Sequence, residues 1–142
     1  MPSFGRKSKD HLATCHPDLR SLLETAIVFV DFSVIEGHRP RERQQDLFRR
    51  GLTQKDGVSR LSAHQSYPSK AADILPYPST IHGVSAWDDP VRFSHVIGII
   101  KGISCSMGIE IRCGMDWDGD TSTENHAFVD FPHIELLNNS PG

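Results

Sequence analysis

The chain has 142 residues, 37% of them hydrophobic and 23% charged, with a formal net charge of -3. That length suits one domain able to bury its own core, and the acidic balance argues against a protein whose main task is gripping nucleic acid. Cys15, Cys105 and Cys113 form no C-x-x-C pair. They read as small buried hydrophobes of a reduced compartment, not as a disulfide framework.

In chain order, residues 1–10 are basic without an apolar stretch behind them, so no secretory signal is expected. Ser8 is expected to cap a short helix through about Cys15, and Pro17 with Asp18 opens a second helix. There Leu19, Leu22, Leu23, Ala26, Ile27 and Val30 recur at helical spacing. Residues 32–36 read as a strand ended by Gly37. Pro40 starts a helix through about Arg50, closed by Gly51. Residues 51–69 lack apolar periodicity and predict a long loop, of the kind that tends to be functional.

Residues 71–75 predict a short buried strand stopped by Pro76 and Pro78, with a loop following through residue 87. Asp88 is the expected N-cap of the longest helix, built on Val91, Phe93, Val96, Ile97, Ile100, Ile103 and Met107 and ended by Gly108. Gly98, Lys101 and Gly102 interrupt its apolar run, which is too short to span a bilayer. Residues 109–113 alternate as a strand, 114–127 form a polar loop, 133–136 form a last strand, and the tail after Leu137 is expected to fray. The order predicts a single α+β domain, 1–142, with a small, largely antiparallel sheet covered by helices.

Chemistry concentrates in two segments, Ser62-Ala63-His64 leading to Asp73, and Asp130-Phe131-Pro132-His133-Ile134-Glu135. A catalytic zinc takes three protein ligands and leaves a fourth position for water, and it needs a base nearby. Two imidazoles, one carboxylate and a further carboxylate three residues before the last imidazole supply these parts. Any one of eight histidines is ordinarily a surface or hydrogen-bonded residue. A carboxylate inside an apolar strand is more informative, because burying Asp73 is costly unless it is paired or ligates a metal.

Taken together, Ser62-x-His64, Ala71-Ala72-Asp73 and Asp130-x-Pro132-His133-x-Glu135 resemble the zinc peptidase family of D-alanyl-D-alanine carboxypeptidases and L-alanyl-D-glutamate endopeptidases. The likeness is closer to its bacteriophage endolysin branch. It extends over nearly the whole chain, through His16-Pro17-Asp18-Leu19, Glu36-Gly37-His38-Arg39 with Gln44 or Gln45 and Leu47-Phe48, and Asp116-Trp117-Asp118-Gly119-Asp120. The resemblance implies His64, Asp73 and His133 as zinc ligands, Asp130 as the acidic general base, Arg39 as the group steadying substrate and oxyanion, and Ser62 and Glu135 as supporting residues. Many relatives keep a shorter, glycine-containing spacer between the first two ligands. Here eight residues intervene, Gln65 to Ala72, including Pro68.

The resemblance implies a monomeric enzyme with Zn2+ as cofactor. It would cut peptidoglycan stem peptides between L-alanine and D-glutamate, causing host cell lysis. The enzyme would be made in the host cytoplasm, without a membrane anchor, and reach the wall once the inner membrane is opened. The rivals are a D-Ala-D-Ala carboxypeptidase of the same family and a non-catalytic cell-wall-binding module, with a metal-dependent nuclease opposed by the acidic balance. Asp116, Asp118 and Asp120 resemble the first half of a Ca2+ loop but lack a glycine at the sixth place, so a solvated acidic loop is the favoured reading. Trp87 and Trp117 are either groove or packing residues. The arginines at 41, 43, 49 and 50 read as a solvated helix face.

Overall fold

Helix boundaries follow local chemistry. The structure is a computed structural model that describes residues 2–114 and 131–137. The expectations for Asp130, for Asp116, Asp118 and Asp120, for Trp117, and for the tail after Leu137 lie outside the described residues.

Helix α1 spans Arg6–Leu12, and α2 spans Pro17–Ala26. In α2 the His16 ring caps the N-terminus, its Nδ1 accepting from the Asp18 N–H at 3.1 Å, with Pro17 in the first turn. Helix α3 is Arg41–Arg49, closed by Gly51 at φ 73°, a left-handed position that glycine reaches without penalty. Helix α4 is Pro90–Met107, closed by Gly108 at φ 70°.

Two expected caps are corrected. Ser8 lies inside α1, and its buried hydroxyl accepts from the Val34 N–H at 3.0 Å, tying the helix to the first strand. Asp89, not Asp88, caps α4, its carboxylate accepting from the Arg92 N–H at 3.2 Å. Proline disfavours helical geometry in the residue before it, so Pro90 makes Asp89 the last non-helical residue. Asp88 instead ends a short 3-10 turn, Ala86–Asp88.

A four-stranded sheet runs β1–β2–β6–β5, built from β1 (Phe32–Glu36), β2 (Ala71–Pro76), β5 (Ile111–Cys113) and β6 (His133–Leu136), every neighbouring pair antiparallel. This is the α+β architecture expected. Strand β5 starts later than predicted, because the Ile109 N–H bonds back to the Ser104 carbonyl of α4. The predicted loop after Pro76 contains a small hairpin, β3 (Thr80–Ile81) with β4 (Val84–Ser85). It turns on His82 and Gly83, both at positive φ. A His-Gly pair is a poor advertisement for such a turn compared with Asn-Gly.

The core lies on one face of the four-stranded sheet. Phe32, Val34, Ala72, Ile74, Cys113, Ile134 and Leu136 pack there with Leu19, Leu22, Leu23 and Ala26 of α2 and Phe93, Val96, Ile97 and Ile100 of α4. Side chains alternate along a strand, so the residues between them face the other way. Those residues include Asp73, His133, Glu135 and Arg112.

Candidate metal centre

Each candidate ligand arrives by a different route. Asp73 and His133 are direct cross-strand partners of β2 and β6, and Ala71 opposes Glu135. Arg112 of β5 opposes Glu135 from the other side. A bulge in β1 adds a fourth group. Val34 pairs with Ile74, yet Glu36 pairs with Asp73, so one extra residue enters β1 between them. A two-residue step would have kept Glu36 on the face of Val34; the bulge re-aims it beside Asp73, as bulges near functional sites commonly do.

His64 comes from outside the sheet, on a 3-10 turn, Ala63–Gln65. Ser62 caps that turn reciprocally: its hydroxyl accepts from the His64 N–H at 3.2 Å, while its own N–H donates to the Gln65 side chain at 2.9 Å. Ser62 therefore touches the backbone of His64. The long spacer that follows docks elsewhere. Ser69 is fully buried, its N–H donates to the Thr14 carbonyl, and its carbonyl accepts from the His16 N–H. The eight-residue spacer thus binds the loop between α1 and α2.

Ligand-type atoms of His64, Asp73 and His133 all lie within 4.8 Å of one another, and all three residues are buried. Asp73 Oδ1 sits 3.2 Å from His64 Nε2 and 3.4 Å from His133 Nδ1. The rings meet edge to face with centroids 5.0 Å apart. Each imidazole commits its other nitrogen. His64 Nδ1 donates to the Gly37 carbonyl at 2.8 Å, and His133 Nε2 donates to Glu135 Oε1 at 2.7 Å. A carbonyl or an ionised carboxylate can only accept, so these partners assign the protons.

The inward nitrogens are then left with lone pairs aimed at a carboxylate oxygen. Three acceptors facing one another repel unless a cation lies between them. The donor set of two oriented imidazoles and one carboxylate therefore fits a single divalent ion, with the outer hydrogen bonds typical of metal-ligating histidines.

The same carboxylate demands positive charge beside it. With protons in place of a cation between these groups, burial still pushes the Asp73 carboxyl up, but the His64 and His133 rings outweigh it and hold the group well below the usual carboxylate range. Glu135 is likewise raised by burial and more than compensated by His133 and Arg112, settling at about 2. Glu36 is lowered by Arg39 against the same burial cost.

Arg39 is buried, 7% exposed. Its Nε and Nη2 grip both oxygens of Glu36 at 2.9 Å each, its Nη1 donates to Gln44 Oε1 at 2.8 Å, and its Nη2 reaches Asp73 Oδ2 at 3.4 Å. Four of its five N–H groups are thus engaged within the protein. Gln44 is itself fully buried and donates to the Lys55 carbonyl at 2.7 Å. The Arg39 N–H donates to the His64 carbonyl at 2.6 Å, so the arginine also braces the 3-10 turn.

The sequence alone does not mark Glu36, Gly37, Gln44 or Arg112 as site residues. Glu36, Gly37 and Gln44 stand within resembling motifs, but nothing local advertises a bulge or an acceptor carbonyl. Among the remaining histidines, His82 and His95 are exposed. Trp87 is half-exposed and lies tilted over Phe93, centroids 5.7 Å apart, in a packing role. Cys15 and Cys113 are buried as expected, and burial pushes the Cys15 thiol up to about 11. Cys105 departs from expectation and is exposed on α4.

A largely antiparallel α+β fold presenting a buried His–Asp–His group places the chain among proteins equipped to hold one divalent metal ion. Comparison with known proteins makes this specific. A family model described as phage L-alanyl-D-glutamate peptidase matches residues 2–137, and the chain belongs to that family. The L-alanyl-D-glutamate peptidase of Escherichia phage T5 is 29% identical over 139 residues, covering 94% of this chain and 97% of the relative. The crystal structure of the Serratia marcescens L-Ala D-Glu endopeptidase ChiX is similar in fold, with TM-score 0.69 at 24% identity, covering 96% of this chain and 91% of that one. The chain is a peptidase by family.

Proposed function

We propose that this protein is a zinc-dependent peptidoglycan peptidase, a phage endolysin that hydrolyses the bond between L-alanine and D-glutamate in stem peptides and so lyses the host. The observation that carries the reading is the convergence of His64, Asp73 and His133, drawn from three separate segments, within 4.8 Å in a chain of this family. His64 Nε2, Asp73 Oδ1 and His133 Nδ1 would hold the ion. A zinc bound there lowers the pKa of a water toward neutrality and polarises a carbonyl.

The remaining work falls to side chains. Asp130 takes a proton from the attacking water and passes it to the departing D-glutamate amine, while the alanyl carbonyl leaves as a carboxylate. Arg39 fixes Asp73 and keeps one Nη1 hydrogen for the oxygen of the attacked carbonyl, a donor already held in place before reaction. Glu135 orients His133, and Ser62 positions His64 through the backbone.

Among the described residues no helix is long and apolar enough to cross a membrane. Access to the wall would follow opening of the inner membrane by another protein, with this enzyme acting as a monomer on peptidoglycan. The test is digestion of purified peptidoglycan with and without a chelator, followed by zinc add-back and mass spectrometry of new termini. New N-terminal D-glutamate that disappears with chelator and returns with zinc supports the reading. Released D-alanine would reassign it to the carboxypeptidase, and binding without products would make it a wall-binding module.

A further inference from the structure

Glu135 divides its two carboxylate oxygens between the candidate ligand and an arginine on the neighbouring strand. Oε1 accepts from His133 Nε2 at 2.7 Å, and Oε2 accepts from Arg112 Nη2 at 2.9 Å. The three residues lie on one face of adjacent strands, with Arg112 and Glu135 in direct register. We infer that Arg112 is a positioning residue for the metal centre, acting on His133 through Glu135. The inference rests on the zinc reading of His64, Asp73 and His133.

The physical case is rotational. The terminal torsions of a glutamate and of a histidine ring are broad and roughly two-fold, so packing alone holds them loosely. A carboxylate anchored through one oxygen can still swing about its last bond. Anchored through both, it holds Oε1 where His133 Nε2 needs an acceptor. That keeps His133 Nδ1 turned toward Asp73 Oδ1, 3.4 Å away.

Two effects of Arg112 on metal affinity oppose each other. A positive charge near a dication site disfavours the metal, so removing it would by itself tighten binding. The Arg112 side chain is 41% exposed, however, and charge effects from such a position are weakened by solvent. Loss of an outer-shell partner typically weakens a metal 10- to 100-fold. Arg112 stands one step further out, so the low end applies, and positioning outweighs repulsion.

The experiment is zinc affinity of the metal-free full-length protein, by competition with a chromophoric chelator, in a double-mutant cycle. Arg112→Gln is expected to weaken zinc about 10-fold, and Arg112→Lys to recover part of that loss, because an ammonium supplies charge but not the planar fork. Glu135→Gln is expected to weaken zinc at least as much, and adding Arg112→Gln to it should change nothing further.

The inference is overturned if Arg112→Gln binds within two-fold of the parent or more tightly. An equal loss in the Glu135→Gln background overturns it too, since Arg112 would then act by another route. Should Arg112→Gln fail to fold, Arg112→Lys carries the same comparison. If the parent protein itself binds no zinc, it is the metal reading that fails, not this relay alone.

Discussion

At the scale of single residues, the centre depends on groups whose importance lies in what they hold. Gly37 is the clearest case. A Cβ there would meet the His11 carbonyl at 2.5 Å and the Thr14 hydroxyl, the same hydroxyl that accepts from the His38 N–H. Neither neighbour can retreat easily, because the Thr14 hydroxyl also donates to the His11 carbonyl at 2.6 Å. Gly37→Ala is therefore expected to cost about 1–3 kcal/mol, the usual range for overpacking. It should also weaken zinc, since the Gly37 carbonyl that orients His64 must shift. Urea unfolding and a zinc titration check both; an alanine variant unchanged in each would show the contact to be soft. Asp130 poses a different question. Asp130→Asn is expected to keep stoichiometric zinc while reducing turnover of peptidoglycan by orders of magnitude, and near-native turnover would remove it from the role of base.

At the scale of elements, caps and the β1 bulge decide what the site receives. Asp89→Ala should destabilise the protein by about 1 kcal/mol, the common value for a lost N-cap, whereas Asp88→Ala should be close to neutral. Equal effects in equilibrium unfolding would contradict the assignment of Asp89. Much of this level is legible in the sequence. Helical spacing locates α2, although Ile27 and Val30, read as part of it, fall past its end at Ala26, and the strands read at 32–36 and 133–136 are β1 and β6 with the bounds observed. Asp73 is conspicuous because a charge in an apolar strand needs a reason. The bulge is not legible, because it arises from pairing between segments nearly forty residues apart and not from any local pattern. Glu36 thus lies beside Asp73 for a reason that only the register discloses. Arg39 is similar: its place in a resembling motif points to the site, but its grip on Glu36, Gln44 and Asp73 emerges only when four segments meet.

At the scale of the whole molecule, the site is a concentration of buried charge on one face of the sheet, and stability should report it. Glu36, Asp73 and Glu135 are all more acidic in the folded protein than their ordinary values. A depressed carboxylate contributes stability fully above its unfolded pKa and loses it as pH falls through the folded one. For Glu135 that window runs from 4.5 down to about 2. Metal-free protein should therefore lose stability progressively over this range, and Glu135→Gln should flatten the decline. A Glu135→Gln protein that falls as steeply as the parent would show that its contacts with His133 and Arg112 contribute little. A metal held there would stabilise the fold as well, because an ion that binds only the folded chain stabilises it by mass action.

The measurement that bears most directly on all of this is anomalous scattering at the zinc absorption edge from a crystal grown with zinc. One peak is expected, bonded to His64 Nε2, Asp73 Oδ1 and His133 Nδ1 at about 2.0–2.2 Å, with His133 Nε2 still on Glu135. A crystal in which that position stays empty at saturating zinc, or in which the ion takes other ligands, would contradict the account.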